Sequence, residues 1–186
     1  MKIIFIRHGQ THGNSEKRYI GRTDEPLSPI GRSELCGKKF PDTDVVITSG
    51  MKRCTETSEL IYPNQKPVIV NGLEECDFGD FEGKNYKELS NDPNYKKWVE
   101  SGGKLPFPNG ESPSDFKKRC IAAFEFSAEK YHGKSVISFV VHGGTIMSVL
   151  EKYAVPKRDY YDFMIENGHG YITEFDGEKL VILEKI

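Results

Sequence analysis

The sequence lacks any hydrophobic run long enough to span a bilayer, which takes about 20 consecutive apolar residues. It also lacks an excess of positive charge, because 26 Lys and Arg stand against 28 Asp and Glu and give a net charge of -2. General binding to nucleic acids or to membrane surfaces needs clustered basic residues, so we expect neither partner. An anionic ligand would have to be bound by a few individually placed arginines.

Cysteine is scarce, and the four residues Cys36, Cys54, Cys76 and Cys120 are widely spaced. They form no Cys-x-x-Cys pair and no metal-type spacing with histidine, which excludes the common zinc motifs and gives no sign of a disulfide framework. The apolar start at 1–6 is too short for the hydrophobic region of a secretory signal. We therefore expect reduced thiols and a cytoplasmic location.

The chain also lacks internal repeats, low-complexity tracts and linker-like segments. Its 186 residues are 37% hydrophobic and 29% charged, which is typical of a globular protein with a sizeable core. We therefore predict a single domain over residues 1–186.

Two apolar segments each run into a histidine that is followed by glycine. The segment 2–6 leads into Arg7-His8-Gly9, and the segment 136–141 leads into His142-Gly143-Gly144. Enzymes with α/β folds place their chemistry where strands end, and glycine lets backbone amides approach a ligand closely. We therefore expect both histidines in one site.

Strands alternate with helices along the chain, which predicts an α/β fold. The apolar patterns and turn signals predict strands at 2–6, 44–48, 67–70, 136–141, 171–175 and 180–183, and helices at 30–40, from Ser49 or Gly50 to 61, 112–131 and 142–153. The pair Asp176-Gly177 predicts a hairpin between the last two strands, so the sheet should be mostly parallel with an antiparallel C-terminal edge. Prolines and glycines interrupt the stretch 84–112, which predicts a mobile lid over a rigid scaffold.

The four residues Arg7, His8, Arg53 and His142 suit phosphoryl transfer to a histidine. Arginine binds phosphate through paired hydrogen bonds, and a neutral imidazole is a good nucleophile. We expect the two arginines and a protonated His142 to neutralise charge on the equatorial phosphate oxygens while His8 attacks phosphorus in line.

The leaving alkoxide then needs a proton, and the acidic loop 73–83 offers carboxylic acids. Glu75 is our candidate for the proton donor, and the adjacent Glu74 is the alternative. For Glu82 we expect a structural role or a place at the rim of the pocket.

Four motifs in this order resemble the histidine phosphatase superfamily, in its phosphoglycerate mutase-like branch. They are Arg-His-Gly-Gln-Thr at 7–11, the helix with Arg53, the loop Leu-Glu-Glu-Cys-Asp-Phe-Gly-Asp-Phe-Glu-Gly at 73–83, and Val-His-Gly-Gly-Thr at 141–145. The resemblance spans most of the chain. It implies a three-layer α/β/α sandwich around a largely parallel sheet, with the site at the carboxyl ends of the strands and with no metal or organic cofactor.

The resemblance also implies a role for each residue of the site. His8 is the phosphorylated nucleophile and Glu75 the proton donor. The phosphate pocket consists of Arg7, Arg53 and His142, and Asn14, Thr23 and Gly143 are further substrate-binding positions.

The reaction itself is open between hydrolysis and phosphoryl transfer. Mutase relatives clamp the carboxylate of phosphoglycerate with arginines in a longer insertion, whereas no arginine lies between Arg53 and Arg119 here, although the segment carries lysines.

The short chain, Trp98 and the run Pro-Asn-Gly-Glu-Ser at 108–112 resemble bacterial alpha-ribazole phosphatases and related broad-specificity phosphatases. We predict a monomeric or homodimeric hydrolase of a small phosphorylated metabolite such as alpha-ribazole 5'-phosphate, which would place it in cobalamin biosynthesis. A mutase and a non-catalytic phospho-ligand binding protein are the alternatives.

Three local questions stay open at the level of sequence. Tyr95, Trp98 and Phe107 either stack on a substrate ring or tie the lid down. His169, between two glycines, is expected in a hairpin turn, with the rim of the pocket as the alternative. Cys54 beside Arg53 raises the question of a stabilised thiolate, although a structural thiol is the expectation.

Overall fold

A computed structural model describes all 186 residues and contains a mixed sheet of seven strands. The strands are β1 (Lys2–Arg7), β2 (Val45–Thr48), β3 (Val68–Ile69), β4 (Val136–Val141), β5 (Ala154–Val155), β6 (Gly170–Phe175) and β7 (Leu180–Lys185). The helices are α1 (His12–Ser15), α2 (Pro29–Leu35), α3 (Lys52–Ile61), α4 (Pro93–Glu100), α5 (Pro113–Lys130) and α6 (Gly143–Tyr153). Short 3-10 helices cover Gly79–Phe81 and Tyr160–Phe163.

The strand order β3-β2-β4-β1-β6-β7-β5 combines a parallel half with an antiparallel side. Strands β3, β2, β4 and β1 pair in parallel, and β6 runs antiparallel to both β1 and β7. The predicted mixed sheet is therefore confirmed. The prediction missed β5, which pairs in parallel with β7 at the outer edge, because two residues are too few to carry a strand pattern.

The central strands are buried on both faces, as their unbroken apolar runs indicate. On one face, Ile3 and Phe5 of β1 belong to a core cluster with residues of α5 and α6. On the other face, Ile4 and Ile6 cluster with Tyr62, at the end of α3. Alternate side chains of one strand thus contact two helical layers, which confirms the three-layer sandwich.

The register of β1 and β4 determines where the two histidines lie. Arg7 pairs with Val141, and the backbone N–H of His8 donates to the carbonyl of Val141 at 2.9 Å. Because both parallel strands end at this level, His8 and His142 leave the sheet side by side. The site therefore forms at the carboxyl ends of the two central strands.

Two helix boundaries differ from the prediction. α2 ends at Leu35 rather than at 40, because Cys36 is extended and Gly37 adopts a left-handed conformation with φ of 84°. α3 begins at Lys52 rather than at Ser49 or Gly50, and the residue before it provides no side-chain cap. The hydroxyl of Ser49 is instead hydrogen-bonded to His142.

The stretch 84–112 contains α4 and packs onto the sandwich through aromatic side chains. Phe107 is buried, and the rings of Tyr95 and Trp98 contact Phe81 with centroid distances of 5.3 and 6.1 Å. Tyr19 joins the same cluster from the N-terminal region. The aromatic residues therefore tie this segment down, and its mobility as a lid stays a prediction, as does the single-domain organisation.

The long helix α5 agrees closely with its prediction. Ser112 caps it by accepting a hydrogen bond from the backbone N–H of Asp115 at 3.0 Å. The stripe that was expected to be buried, Phe116, Cys120, Ala123, Phe124 and Ser127, is buried. No helix of the fold is both long and apolar enough to cross a membrane.

Candidate active site

His8 is nearly buried, with 4% of its surface exposed, and its protonation state follows from its surroundings. Its Nδ1 lies 2.7 Å from the carbonyl oxygen of Gly9, which can only accept, so Nδ1 carries the proton and Nε2 keeps its lone pair. Burial, followed by the charges of Arg53 and Arg7, lowers the pKa of His8 well below 6.5. His8 is therefore neutral at pH 7 and has the form that a nucleophile requires.

His142 is fully buried and faces His8 edge-on, with 5.3 Å between the ring centroids. The Nε of Arg53 donates to its Nδ1 at 3.3 Å, so its Nε2 carries the proton and donates to Ser49 Oγ at 2.8 Å. Burial and then the charge of Arg53 lower the pKa of His142 well below 6.5. The expectation of a protonated His142 is thus wrong for the protein alone, and the positive charge of the site comes from arginines.

Arg53 is completely buried in the first turn of α3. Besides its contact with His142, its Nη1 donates to the carbonyl of Thr23 at 2.8 Å and its Nη2 to the carbonyl of Gly21 at 2.9 Å. None of these partners is a carboxylate. A buried guanidinium without a counter-ion is costly, and an anion bound beside it would be strongly stabilised.

Arg7 supplies a second guanidinium at the end of β1. Its Nη1 donates to the carbonyl of Ile165 at 2.6 Å, and its Nε is buried without a hydrogen-bond partner. A Cβ added at Gly143, the first residue of α6, would come within 3.3 Å of that Nε. Burial lowers the pKa of Arg7, and the nearby charges of Glu75 and Arg53 act in opposite directions. An unpaired buried donor beside a helix N-terminus is a place for an anion.

Glu75 reaches the same N-terminus of α6. Its Oε2 accepts from the backbone N–H of Gly144 at 3.2 Å, and its Oε1 accepts from the N–H of Cys76 at 3.0 Å. A Cβ at Gly144 would lie 2.4 Å from Oε1, so only glycine permits this approach. The neighbouring Glu74 accepts instead from the N–H of Gly72 at 2.7 Å. Glu75, rather than Glu74, therefore reaches the N-terminus of α6, beside which Arg7 also lies.

Thr23, which the resemblance makes a substrate-binding position, contacts Arg53 and Glu82 in the structure. Its carbonyl accepts from Arg53, while its hydroxyl donates to Glu82 Oε1 at 2.8 Å. The same oxygen of Glu82 accepts from the backbone N–H groups of Gly21 and Thr23. Glu82 thus has the expected structural role, because it holds the loop whose carbonyls orient Arg53.

Asn14 lies beside Arg7 on the wall of a cavity of about 1000 Å³. Its Oδ1 accepts from the Nδ2 of Asn167 at 3.1 Å, and that same Nδ2 also lies 3.1 Å from the carbonyl oxygen of His8. Asn167 was missed by sequence reasoning, because the stretch 156–169 has neither helix nor strand periodicity. Only its closeness to the glycine-flanked His169 offered a signal.

His169 lines the same cavity and is not in a hairpin turn, so that expectation is wrong. It directly precedes β6, where its Nε2 accepts from Lys38 Nζ at 3.4 Å. The charged residues that line this cavity are Arg7, Lys17, Arg18, Glu34, Lys38, Glu166 and Lys185. Their excess of positive charge suits anionic ligands.

Cys54 contacts His142 but is not a stabilised thiolate. Its Sγ lies 3.5 Å from His142 Nε2 and is completely buried, and burial raises the pKa of the thiol to about 12. The proximity of Arg53 lowers the pKa of this thiol, but burial dominates. Cys54 therefore packs as a neutral thiol, as expected for a structural residue. No group of three His, Cys, Asp or Glu side chains is arranged to ligate a metal ion.

The two neutral buried histidines predict that stability falls in mild acid. Their pKa values are lowered in the folded protein, so below about pH 6.5 the unfolded chain binds protons that the native protein does not. Each histidine should reduce the free energy of unfolding by at most about 1.4 kcal/mol per pH unit in that range. Urea unfolding between pH 7 and pH 5 measures the slope, and His8→Asn should remove its own share of it. If the free energy of unfolding of His8→Asn depends on pH as steeply as that of the wild type, the pKa of His8 is not lowered in the folded protein.

Comparisons with known proteins agree with this geometry. The family model of the histidine phosphatase superfamily (branch 1) matches residues 3–185. The adenosylcobalamin/alpha-ribazole phosphatase of Escherichia coli is 27% identical over 90% of this chain and 87% of its own length. A 2,3-bisphosphoglycerate-dependent phosphoglycerate mutase of Gloeobacter violaceus is 31% identical over 80% and 73%. The crystal structure of the alpha-ribazole phosphatase from Shigella flexneri has a TM-score of 0.85 at 22% identity, over 98% and 95% of the two chains.

Proposed function

The chain belongs to branch 1 of the histidine phosphatase superfamily, and we propose that it is a phosphomonoesterase that works through a phosphohistidine at His8. One observation carries the proposal. His8 is neutral with Nε2 unprotonated, and it lies beside the guanidinium groups of Arg7 and Arg53, neither of which hydrogen-bonds a carboxylate. This arrangement suits a nucleophile that attacks a bound phosphate.

In the first step, the phosphate of the ester binds to the unpaired Nε of Arg7 and beside Arg53. Nε2 of His8 forms a bond to phosphorus while the bond to the ester oxygen breaks, and Glu75 gives its proton to that oxygen. The carbonyl oxygen of Gly9, which accepts the hydrogen bond from Nδ1–H of His8, stabilises the positive charge that develops on the imidazole. The alcohol then leaves.

In the second step, Glu75 is a carboxylate and accepts a proton from a water molecule. The water oxygen forms a bond to phosphorus as the bond from phosphorus to Nε2 breaks, which releases phosphate and restores neutral His8. Glu75 is protonated again and ready for the next ester. The N–H groups of Gly144 and Cys76 hold its carboxyl group in place through both steps.

The role of Glu75 predicts a dependence on the leaving group. In Glu75→Gln, kcat/KM should fall by about 10²-fold or more for alkyl phosphates, whose alkoxides need a proton. It should fall much less for nitrophenyl phosphates, whose phenolates leave unprotonated. Steady-state kinetics on both ester classes measures the difference, with Glu74→Gln as the matched control. Equal losses on both classes would count against Glu75 as the acid.

For the substrate we propose a small phosphorylated metabolite. The relatives named as alpha-ribazole phosphatases favour alpha-ribazole 5'-phosphate, and the positively charged cavity beside Arg7 favours esters with further anionic groups. Phosphate release should be measured on a panel of alpha-ribazole 5'-phosphate, sugar phosphates, phosphoserine and 3-phosphoglycerate, with His8→Ala as control.

The same panel separates the alternatives. A mutase is the second candidate, because the chain is similar to the mutase of Gloeobacter violaceus. Isomerisation of 3-phosphoglycerate to 2-phosphoglycerate without phosphate release would establish that activity. Binding of phosphate esters without turnover would establish a binding protein. Release from one ester would establish the phosphatase and identify its substrate.

We also propose a cytoplasmic protein that is a monomer or homodimer and binds no nucleic acid. All four cysteines are free thiols, and three of them are buried, which suits a reducing compartment. The net charge of -2 gives no general attraction to nucleic acid.

A further inference from the structure

Arg119 of α5 makes an unusual set of contacts with the loop that carries Glu75. Its Nη1 donates to the backbone carbonyl of Gly72 at 3.1 Å and to that of Glu74 at 2.7 Å. Its Nη2 donates to the carbonyl of Glu75 itself at 2.9 Å. One guanidinium thus binds three main-chain carbonyls within four consecutive residues.

Arg119 also binds the carboxylate of Glu111, besides longer contacts of its Nη1 with Glu74 Oε2 at 3.7 Å and with Cys120 Sγ at 3.9 Å. Nε donates to Oε1 at 2.7 Å and Nη2 to Oε2 at 2.8 Å, which is the paired geometry of a strong arginine-carboxylate contact. Both side chains are largely shielded from solvent, with 23% and 15% exposure. The guanidinium is therefore fixed in its plane, and a lysine could not reproduce its fork of donors.

Glu111 is itself anchored to the acidic loop. Its backbone N–H donates to the carbonyl of Asp77 at 2.9 Å, and its Oε2 accepts from the N–H of Asp77 at 3.4 Å. Within residues 72–77, Arg119 thus binds the carbonyls of residues 72, 74 and 75, and Glu111 binds Asp77. The pair joins the end of the stretch 84–112 to the main chain around Glu75.

The carboxyl group of Glu75 needs such support. Its two side-chain hydrogen bonds come from backbone N–H groups, at 3.0 and 3.2 Å, and no cation is hydrogen-bonded to it. Its position therefore depends on where its own main chain lies relative to the N-terminus of α6. A displacement of about 1 Å in a catalytic group can cost about 10²-fold in rate.

We propose that Arg119, held by Glu111, is the positioning residue for the proton donor Glu75. The inference rests on the proposed function, because it assigns Arg119 to the protonation of the leaving group. Arg119 touches neither substrate nor phosphate and acts through the carbonyls of residues 72, 74 and 75. Its loss should affect proton donation and leave phosphate binding by Arg7 and Arg53 unchanged.

The test compares Arg119→Lys and Glu111→Gln with the wild type on esters that range from nitrophenyl to simple alkyl phosphates. We expect kcat/KM to fall by about 10- to 100-fold for alkyl phosphates and by less than about threefold for nitrophenyl phosphates. In a Glu75→Gln background, Arg119→Lys should cause little further loss, because both changes remove the same step. Arg32→Lys is the matched control, since Arg32 also pairs with a glutamate, Glu56 at 2.7 Å, but binds no carbonyl of the acidic loop.

Each result has one meaning for the inference. A loss of equal size on all esters, or losses that add in the double variant, would overturn the positioning role and leave the phosphatase intact. If Glu75→Gln itself shows no dependence on the leaving group, the acid assignment fails and the inference fails with it. Glu111→Gln leaves Arg119 unchanged and weakens only its contact with residue 111. It therefore tests the inference even if Arg119→Lys does not fold.

Discussion

His8→Ala is expected to lower kcat by about 10⁴-fold or more on every phosphate ester, because loss of the nucleophile removes the covalent route altogether. The side chain makes a single hydrogen bond, from Nδ1 to the carbonyl of Gly9, so its removal should leave the fold intact. Steady-state phosphate release measures the loss, and circular dichroism checks the fold.

His12→Ala is the matched control for that variant. His12 is a near neighbour in sequence, but its side chain is exposed and lies 3.1 Å from Glu16 on the surface. It should keep wild-type activity. If His8→Ala and His12→Ala lose equally little activity, the nucleophile has been assigned to the wrong residue.

Arg53→Met should lower kcat/KM by about 10³-fold or more, because it removes a buried positive charge from the place where the phosphate charge must be stabilised. The variant also leaves the buried carbonyl of Gly21 without a donor, at about 1 to 3 kcal/mol, and removes the donor of the partly buried carbonyl of Thr23 at a smaller cost. Removal of the unpaired buried charge offsets part of that cost. Kinetics and thermal unfolding should therefore both be measured.

Arg53→Lys separates charge from geometry in the same position. A lysine keeps the charge but cannot bind Gly21, Thr23 and His142 together, so its activity should fall between those of the wild type and Arg53→Met. Arg32→Met is a control for loss of an arginine on the surface. Near wild-type activity in Arg53→Met would contradict the assignment of Arg53 to the phosphate pocket.

The sequence predicted the centre of the fold well because the two central strands have unmistakable patterns. Segments 2–6 and 136–141 are unbroken apolar runs, and each ends in a histidine followed by glycine. Parallel pairing of such strands brings their carboxyl ends together, so the sequence pattern alone predicts His8 and His142 in one site. The motif around Arg53 and the acidic loop 73–83 predicted the remaining site residues, Arg53 and Glu75.

The features that sequence reasoning missed depend on tertiary contacts. The protonation state of His142 follows from its burial and from Arg53, neither of which a linear pattern shows. Asn167 and Ser49 contact the histidines through side chains that lie in segments without periodicity. The two residues of β5 pair only because β7 is already in place beside them.

The central claim is that the phosphoryl group passes through Nε2 of His8. Rapid quenching of the enzyme with a labelled phosphate ester, followed by peptide mapping and phosphorus NMR, identifies the residue and the nitrogen that carry the label. The account predicts phosphate on His8 at Nε2, because Nδ1 is protonated and bound to Gly9. Phosphate on Nδ1, on His142, or on no histidine at all would contradict it.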